Sequence, residues 1–324
     1  MKVLITGGAG FIGSHLAERL IERGDQISVF DNLSTGSLEN IEHWRDSGQL
    51  DFHFGDIQDR AAVEEVVEEA DVVVHLAAAL GVKLILEKPV ECIETNVVGT
   101  QIVLEAAARD RKPVLIASTS EVYGKSNNIP FCEDDDVVLG ATRKSRWSYA
   151  TSKMLDEFLA LSYWQEKGLP TIVVRFFNTV GPRQNARYGM VLPTFVQQAL
   201  EDAPITIHGD GKQSRCFCDV RDTVEAITRL LDAEAFGEVV NIGSTQEISI
   251  EELARRVRGD LGSRSRISYT PYEQAYRAGY EDMQRRVPSV ENLYRLTGFR
   301  PQIALAETIQ RTAEHLRSTM VAVG

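Results

Sequence analysis

The chain has 324 residues, 43% hydrophobic and 25% charged, enough for a sizeable core and too apolar for a disordered chain. Its 47 acidic and 35 basic residues leave a formal charge of −12, which sets nucleic acid aside as a partner because the phosphate backbone is repelled. No run approaches the roughly 18 apolar residues that cross a bilayer, so a membrane partner is set aside as well.

Lys2–Thr6 reads as a short apolar strand. It is too short and too closely followed by glycines to be the apolar part of a signal peptide. A glycine-rich turn comes next, then a helix over Ser14–Arg23 with Gly24 as its stop. Gln26–Phe30 is a second strand ending at Asp31, and Leu50–Phe54 a third. Ala62–Glu69 is helical. Val72–Leu76 is a nearly continuous apolar run, as in a strand buried on both faces. A long helix covers about Val90–Ala108, Val114–Ala117 is another buried strand, Ser148–Lys167 a helix and Thr171–Phe176 a strand.

Strands and helices therefore alternate through the first half, which implies an α/β fold with a doubly wound parallel sheet of the Rossmann type. The second half is less regular. Leu192–Leu200 and Val220–Leu231 read as helices, Ile205–His208 and Glu238–Ile242 as strands, Ile250–Arg258 as a helix and the tail from Ala304 as a last one. The expected division is a dinucleotide-binding domain over 1–176, with 220–245 returning to it. A smaller C-terminal substrate-binding α/β lobe then takes most of 177–324.

Gly7, Gly10 and Gly13 stand between the first strand and the first helix. Glycine lets the backbone turn sharply and approach a pyrophosphate, and the helix N-terminus offers free N–H groups and partial positive charge. Asp31 stands 18 residues after Gly13, at the end of the second strand, where a carboxylate can accept hydrogen bonds from ribose hydroxyls. The same carboxylate repels a 2′-phosphate, so the expected cofactor is NAD rather than NADP.

Tyr149 and Lys153 are four apart within a predicted helix and share a face. A lysine charge there would lower the Tyr149 phenol's pKa and make it a general base for a hydroxyl whose carbon gives up hydride. Thr119 and Glu121 lie just past a buried strand, at the edge where open α/β sheets bind ligands. Thr119 could hold the reacting oxygen. Glu121 could be a second acid/base or a ring-positioning group, and strand-end capping and a solvated acid are the plain alternatives. Cys92, Cys132, Cys216 and Cys218 have no metal-site spacing, so no metal is expected. They read as reduced thiols of a cytoplasmic protein. Arg255, Arg256, Arg258, Arg264 and Arg266 come after Glu251 and Glu252 and read as a solvated helix face.

Taken together, TGGAGFIGSH (Thr6–His15), VFDNLSTG (Val29–Gly36), GDI (Gly55–Ile57), HLAA (His75–Ala78), ETNVVGT (Glu94–Thr100), STSEVYG (Ser118–Gly124), YATSK (Tyr149–Lys153), RFFNTVGPRQ (Arg175–Gln184) and GDGKQSRCFCDVRD (Gly209–Asp222) resemble the NAD-dependent epimerase/dehydratase group of extended short-chain dehydrogenases/reductases. The resemblance runs over nearly the whole chain. It implies that Phe11, Ile12 and Asn32 join the glycines and Asp31 around NAD. Asp56 and Ile57 would lie by the adenine, and Leu76, Ala77, Ala78 and Asn96 along the dinucleotide channel. Asn178, Val191 and Arg215 would hold the nucleotide of a UDP-sugar, an arginine fork suiting a diphosphate. A homodimer through a four-helix bundle of about Ile93–Ala108 and Ser148–Lys167 is also implied.

Members of this group share oxidation of the sugar at C4 and differ in the fate of the 4-keto sugar. Thr119-Ser120-Glu121 is similar to the motif of UDP-glucuronate decarboxylases and of GDP-mannose-type dehydratases; Arg146-Trp147 and Gln284–Ser289 are similar to the decarboxylases, with Arg286 facing the diphosphate or the sugar carboxylate. YATSK and Ala78–Val82 are similar to 4-epimerases. The leading expectation is a UDP-glucuronate decarboxylase, with a UDP-sugar 4-epimerase beside it. A 4,6-dehydratase comes third, and a non-catalytic nucleotide-binding relative last.

Overall fold

The computed structural model describes residues 1–81, 84, 87–186, 190–271 and 283–323. The central sheet takes β1 (Lys2–Thr6), β2 (Gln26–Asp31), β3 (Leu50–Phe54), β4 (Val72–His75), β5 (Val114–Thr119), β6 (Thr171–Phe176) and β11 (Val239–Ile242). Between β6 and β11 come four short strands, β7 (Thr179–Val180), β8 (Ile205–His208), β9 (Ser214–Cys216) and β10 (Cys218–Asp219). Every pairing in the central sheet is parallel, in the order β3–β2–β1–β4–β5–β6–β11. This is the expected doubly wound arrangement, with the order reversing between β1 and β4.

Side chains alternate across the sheet, so each strand feeds two cores. Val3 and Ile5 of β1 pack on one face with α1 (Phe11–Arg23) and α7 (Val220–Asp232). Leu4 packs on the other with α3 (Arg60–Glu68), α4 (Pro89–Ala108) and α5 (Arg146–Lys167). Helix α1 stops at Gly24, whose φ of 97° is left-handed.

A third core gathers α6 (Val191–Leu200), α8 (Ile250–Asp260) and α10 (Leu305–Val323) against β8. The chain passes repeatedly between this core and the sheet. It leaves after Val174, returns at Val220, leaves again at Ile250, returns at Leu293 in α9 (Glu291–Thr297), and leaves for Ile309. Small sheets tie these passages together: β9 pairs with β12 (Glu247–Ser249) and β14 (Arg285–Arg286), and β8 with β13 (Ile267–Thr270).

Every strand and long helix read from the sequence has a counterpart, with ends shifted by up to three residues. Strand β5 runs on through Ser118 and Thr119, because Arg175 and Phe176 of β6 continue the ladder. The short helix α2 (Glu42–Arg45), α9 and the strands of the small sheets other than β8 had no sequence signal, since two to seven residues carry too little periodicity to stand out. Arg255, Arg256, Arg258, Arg264 and Arg266 are exposed, and three of them form surface ion pairs with Glu251, Asp260 and Asp202.

Candidate active site

The turn between β1 and α1 is built from close backbone approaches. Gly7 has φ of 71°, and a Cβ there would lie 2.8 Å from the Ala77 backbone nitrogen. A Cβ on Gly13 would collide with the Gly7 carbonyl oxygen. Helix α1 starts at Phe11 with Gly10 as N-cap, so no side chain caps it, and its first turn holds no acid. Phe11 and Ile12 thus present a helix N-terminus open to an anion. Leu76 and Ala77 anchor back to the carbonyl and hydroxyl of Thr6.

Asp31 is buried and accepts the Ala9 and Leu33 N–H groups, one on each oxygen. Burial pushes its carboxyl upward, against those two hydrogen bonds. Each oxygen keeps lone pairs for a ribose hydroxyl. Asn32 donates to Asp56 at 2.9 Å, and Ile57 is buried beneath Gly99. Asn96 has its amide spent within the protein: it accepts the Ala79 N–H and donates to the Ala79 carbonyl and to Ser152. It fixes the segment after β4 between α4 and α5. Ala78 lies in that segment, whose last residue, Val82, is outside the described residues. An uncapped helix end, glycines pressed on backbone and a buried ribose-type carboxylate together fit a dinucleotide.

Across the sheet edge, Tyr149 is half-buried in the first turn of α5 and shares a hydrogen bond with Thr119. Thr119 also caps the 3-10 turn after β5, accepting the Glu121 N–H at 3.3 Å. Burial drives the Tyr149 phenol well above its ordinary range. Glu121, Cys92 and Asp156 add to the shift, and the Thr119 hydrogen bond opposes it. Lys153 is not among the chief influences on this phenol. The Lys153 ammonium lies 2.5 Å from Asp156, one turn further along the helix.

Glu121 is not a solvated acid. Arg146 grips it through two hydrogen bonds of 2.7 and 3.1 Å, and Arg286 approaches at 3.4 Å from β14. Its side chain is 14% exposed, and those of Arg146 and Arg286 are 3% and 12%. Three residues far apart in sequence thus form one cationic corner, and the Glu121 charge within it reaches Tyr149. A carboxylate held by two guanidinium groups is a better anchor than a proton donor.

Arg286 stands directly opposite Arg215 in the β9–β14 ladder, so two arginines from neighbouring strands share one edge. Arg215 is buried, with one nitrogen on the Ser214 carbonyl. Asn178 has φ of 35° and donates to the Cys216 carbonyl. Val191 opens α6, whose N-cap Met190 makes no side-chain bond. These residues stand on separate short elements, and no hydrogen bond or ion pair among the described residues joins Asn178 or Val191 to Arg215.

All four cysteines are free, and burial pushes the thiols of Cys216 and Cys218 up to about 12. Among the described residues no group of three potential metal ligands occurs, and no helix is long and apolar enough to cross a membrane. The sequence reading missed Asp156, although its i,i+3 spacing from Lys153 was visible. It also missed the partnership of Arg146 with Glu121, for which no local signal exists.

The profile of the NAD dependent epimerase/dehydratase family matches residues 3–243. A UDP-N-acetyl-alpha-D-glucosaminuronate decarboxylase from Bacillus cytotoxicus is 44% identical over 98% of both chains. UDP-glucuronic acid decarboxylase 1 from Xenopus tropicalis is 34% identical over 98% of this chain and 73% of its own. The crystal structure of UDP-glucuronic acid 4-epimerase from Bacillus cereus, in complex with UDP-glucuronic acid and NAD, superposes with a TM-score of 0.88 at 26% identity, covering 98% of this chain and all of that one. The chain is an NAD-dependent enzyme and belongs to the NAD dependent epimerase/dehydratase family.

Proposed function

We propose that the protein decarboxylates a UDP-linked hexuronate by way of its 4-keto form. The observation that carries this reading is the Arg146–Glu121–Arg286 corner, in which a guanidinium from the C-terminal lobe meets Glu121, whose charge reaches Tyr149. A sugar carboxylate is a natural ligand for that guanidinium. The 44% identity to the Bacillus cytotoxicus enzyme, against 34% for the Xenopus enzyme, favours a 2-acetamido hexuronate over UDP-glucuronate itself.

Bound NAD supplies a two-electron acceptor at C4 of the sugar. Gly7, Gly10, Phe11, Ile12 and Gly13 would hold its pyrophosphate and Asp31 its ribose, with Asp56 and Ile57 by the adenine. Tyr149 takes the proton of the C4 hydroxyl as C4 becomes a ketone, and Thr119 holds that oxygen. The C6 carboxylate is then β to the ketone. The C5–C6 bond breaks, carbon dioxide leaves, and the bonding pair passes through C5 into the C4 oxygen as an enolate. A proton arriving at C5 completes a 4-keto pentose. Glu121, anchored by Arg146, fixes the ring and steers Arg286 toward the carboxylate. Asn178, Val191 and Arg215 would take the uridine diphosphate.

A second reading, 4-epimerisation of the same uronate, is favoured by the likeness to the Bacillus cereus epimerase. Mass spectrometry of the protein with NAD and each of the two UDP-uronates separates the readings. Loss of carbon dioxide is the expected outcome, and a product of unchanged mass supports epimerisation instead. Tyr149→Phe should lower turnover by about a thousandfold; unchanged turnover would overturn the assignment of the base.

The protein is further proposed to act as a homodimer. Val90, Ile93 and Val98 of α4 and Leu155 and Phe158 of α5 are exposed apolar side chains on two packed helices. A second copy of the same pair would cover them in a four-helix bundle. Four free cysteines suit a reducing compartment such as the cytoplasm.

A further inference from the structure

Exposed i,i+3 pairs on a helix are common and weak. The pair formed by Lys153 and Asp156 is of another kind. Its atoms approach to 2.5 Å, with side chains 2% and 0% exposed, so both charges have been taken out of water. The pair lies one turn along α5 from Tyr149, the group proposed as base.

Burial pushes the Asp156 carboxyl upward, Lys153 and a hydrogen bond from Thr100 oppose the rise, and the other groups packed around the pair leave Asp156 as the counter-charge of Lys153. His75 of β4 is held neutral, burial and the nearby Lys153 driving its imidazole down to about 3. Cys92 of α4 is pushed up to about 11, mainly by burial. On α5, Glu157 is taken by Arg175, and past β5 Glu121 is taken by Arg146 and Arg286. Thr100 of α4 is neutral and hydrogen-bonds His75.

The geometry points to Asp156 as a positioning residue for the reaction: it holds the Lys153 ammonium in place and draws part of its field away from the Tyr149 phenol. A carboxylate at this depth opposes ionisation of Tyr149, as its place among the causes of that phenol's upward shift indicates. The device keeps Tyr149 a neutral phenol until bound ligands change the balance. A lysine with no acid below it would give its whole charge to the phenol.

This inference rests on Tyr149 being the base, and the test keeps the two apart. The acid limb of kcat/KM against pH would be measured for the parent and Asp156→Asn. Alongside it, the Tyr149 titration would be read by ultraviolet difference absorbance of each protein against its Tyr149→Phe counterpart. The limb and the phenol titration should both move down by about half a pH unit or more in Asp156→Asn, and Asp156→Glu should restore the parent values. If both stay in place while only thermal stability falls, Asp156 serves the fold alone and the inference is overturned. Should Asp156→Asn not fold, Asp156→Ser, which admits water beside Lys153, is read in the same way. Full turnover by Tyr149→Phe would instead overturn the choice of base.

Discussion

Glu157 of α5 accepts three hydrogen bonds from Arg175 of β6, at 2.7, 3.0 and 3.2 Å, and both side chains are buried. Ser118 of β5 hydrogen-bonds the same carboxylate. The helix that carries Tyr149 and Lys153 is therefore bolted to the two strands that carry Thr119 and Phe176. The distance between Tyr149 and Thr119 depends on this joint, although neither residue takes part in it.

Breaking that joint should cost both stability and alignment. Glu157→Gln leaves Arg175 as a buried cation without its counter-charge, a loss of about 3–5 kcal/mol. Thermal unfolding would show it directly. Turnover measured well below the new melting temperature should also fall, whereas NAD binding at the distant glycine turn should hold. A variant of parental stability would remove the joint from the account.

Acidification should weaken the fold through His75. Its imidazole lies between the Thr6 and Thr100 hydroxyls, at 2.7 and 3.1 Å, and its folded pKa of about 3 is far below the ordinary 6.5. The unfolded chain therefore takes up a proton first as pH falls. The His75 contribution is fully present above pH 6.5 and is lost as pH drops toward 3, the loss amounting to about 2 kcal/mol at pH 5. His75→Gln, which keeps a donor and an acceptor, removes the titration. Denaturant unfolding from pH 7 to pH 4 should show the parent losing its advantage over the variant. A constant difference would mean that His75 is not held neutral.

The proposed dimer is open to a single charge. Leu155 and Phe158 are 43% and 62% exposed on adjacent turns of α5. Phe158→Glu would set a carboxylate into the centre of the bundle and should weaken association by roughly a hundredfold or more. Light scattering across a concentration series reads this as a shift to monomer, with the fold intact by circular dichroism. An unchanged mass would place the contact elsewhere.

Much of this molecule is legible in its residues alone. The glycine turn, Asp31 and the Tyr149–Lys153 pair are local signals, carried by spacings that a turn or a helix enforces. The buried parallel strands announce themselves as apolar runs. The chemistry proposed to select a product is not local. Glu121 meets Arg146 across 25 residues and Arg286 across 165, through a strand of two residues that no periodicity could betray. Resemblance singles out all three positions, but their partnership needs the fold. Lys153 has a partner that its spacing alone did not single out. Its spacing from Tyr149 suggests contact, while nothing in the sequence shows that the carboxylate three residues further on is buried against the same ammonium.

The five passages of the chain between sheet and C-terminal core bear on how the site can move. Two lobes joined by one linker can swing apart like a clam. Here the backbone is stitched across the boundary five times, at Val174–Val180, Phe217–Val220, Ile242–Ile250, Ile267–Leu293 and Leu293–Ile309. A swing about any one stitch strains the other four. Movement left to the site is a sliding of packed elements or a shift of the loops around it. A single backbone cut at any of these crossings should leave the two halves together.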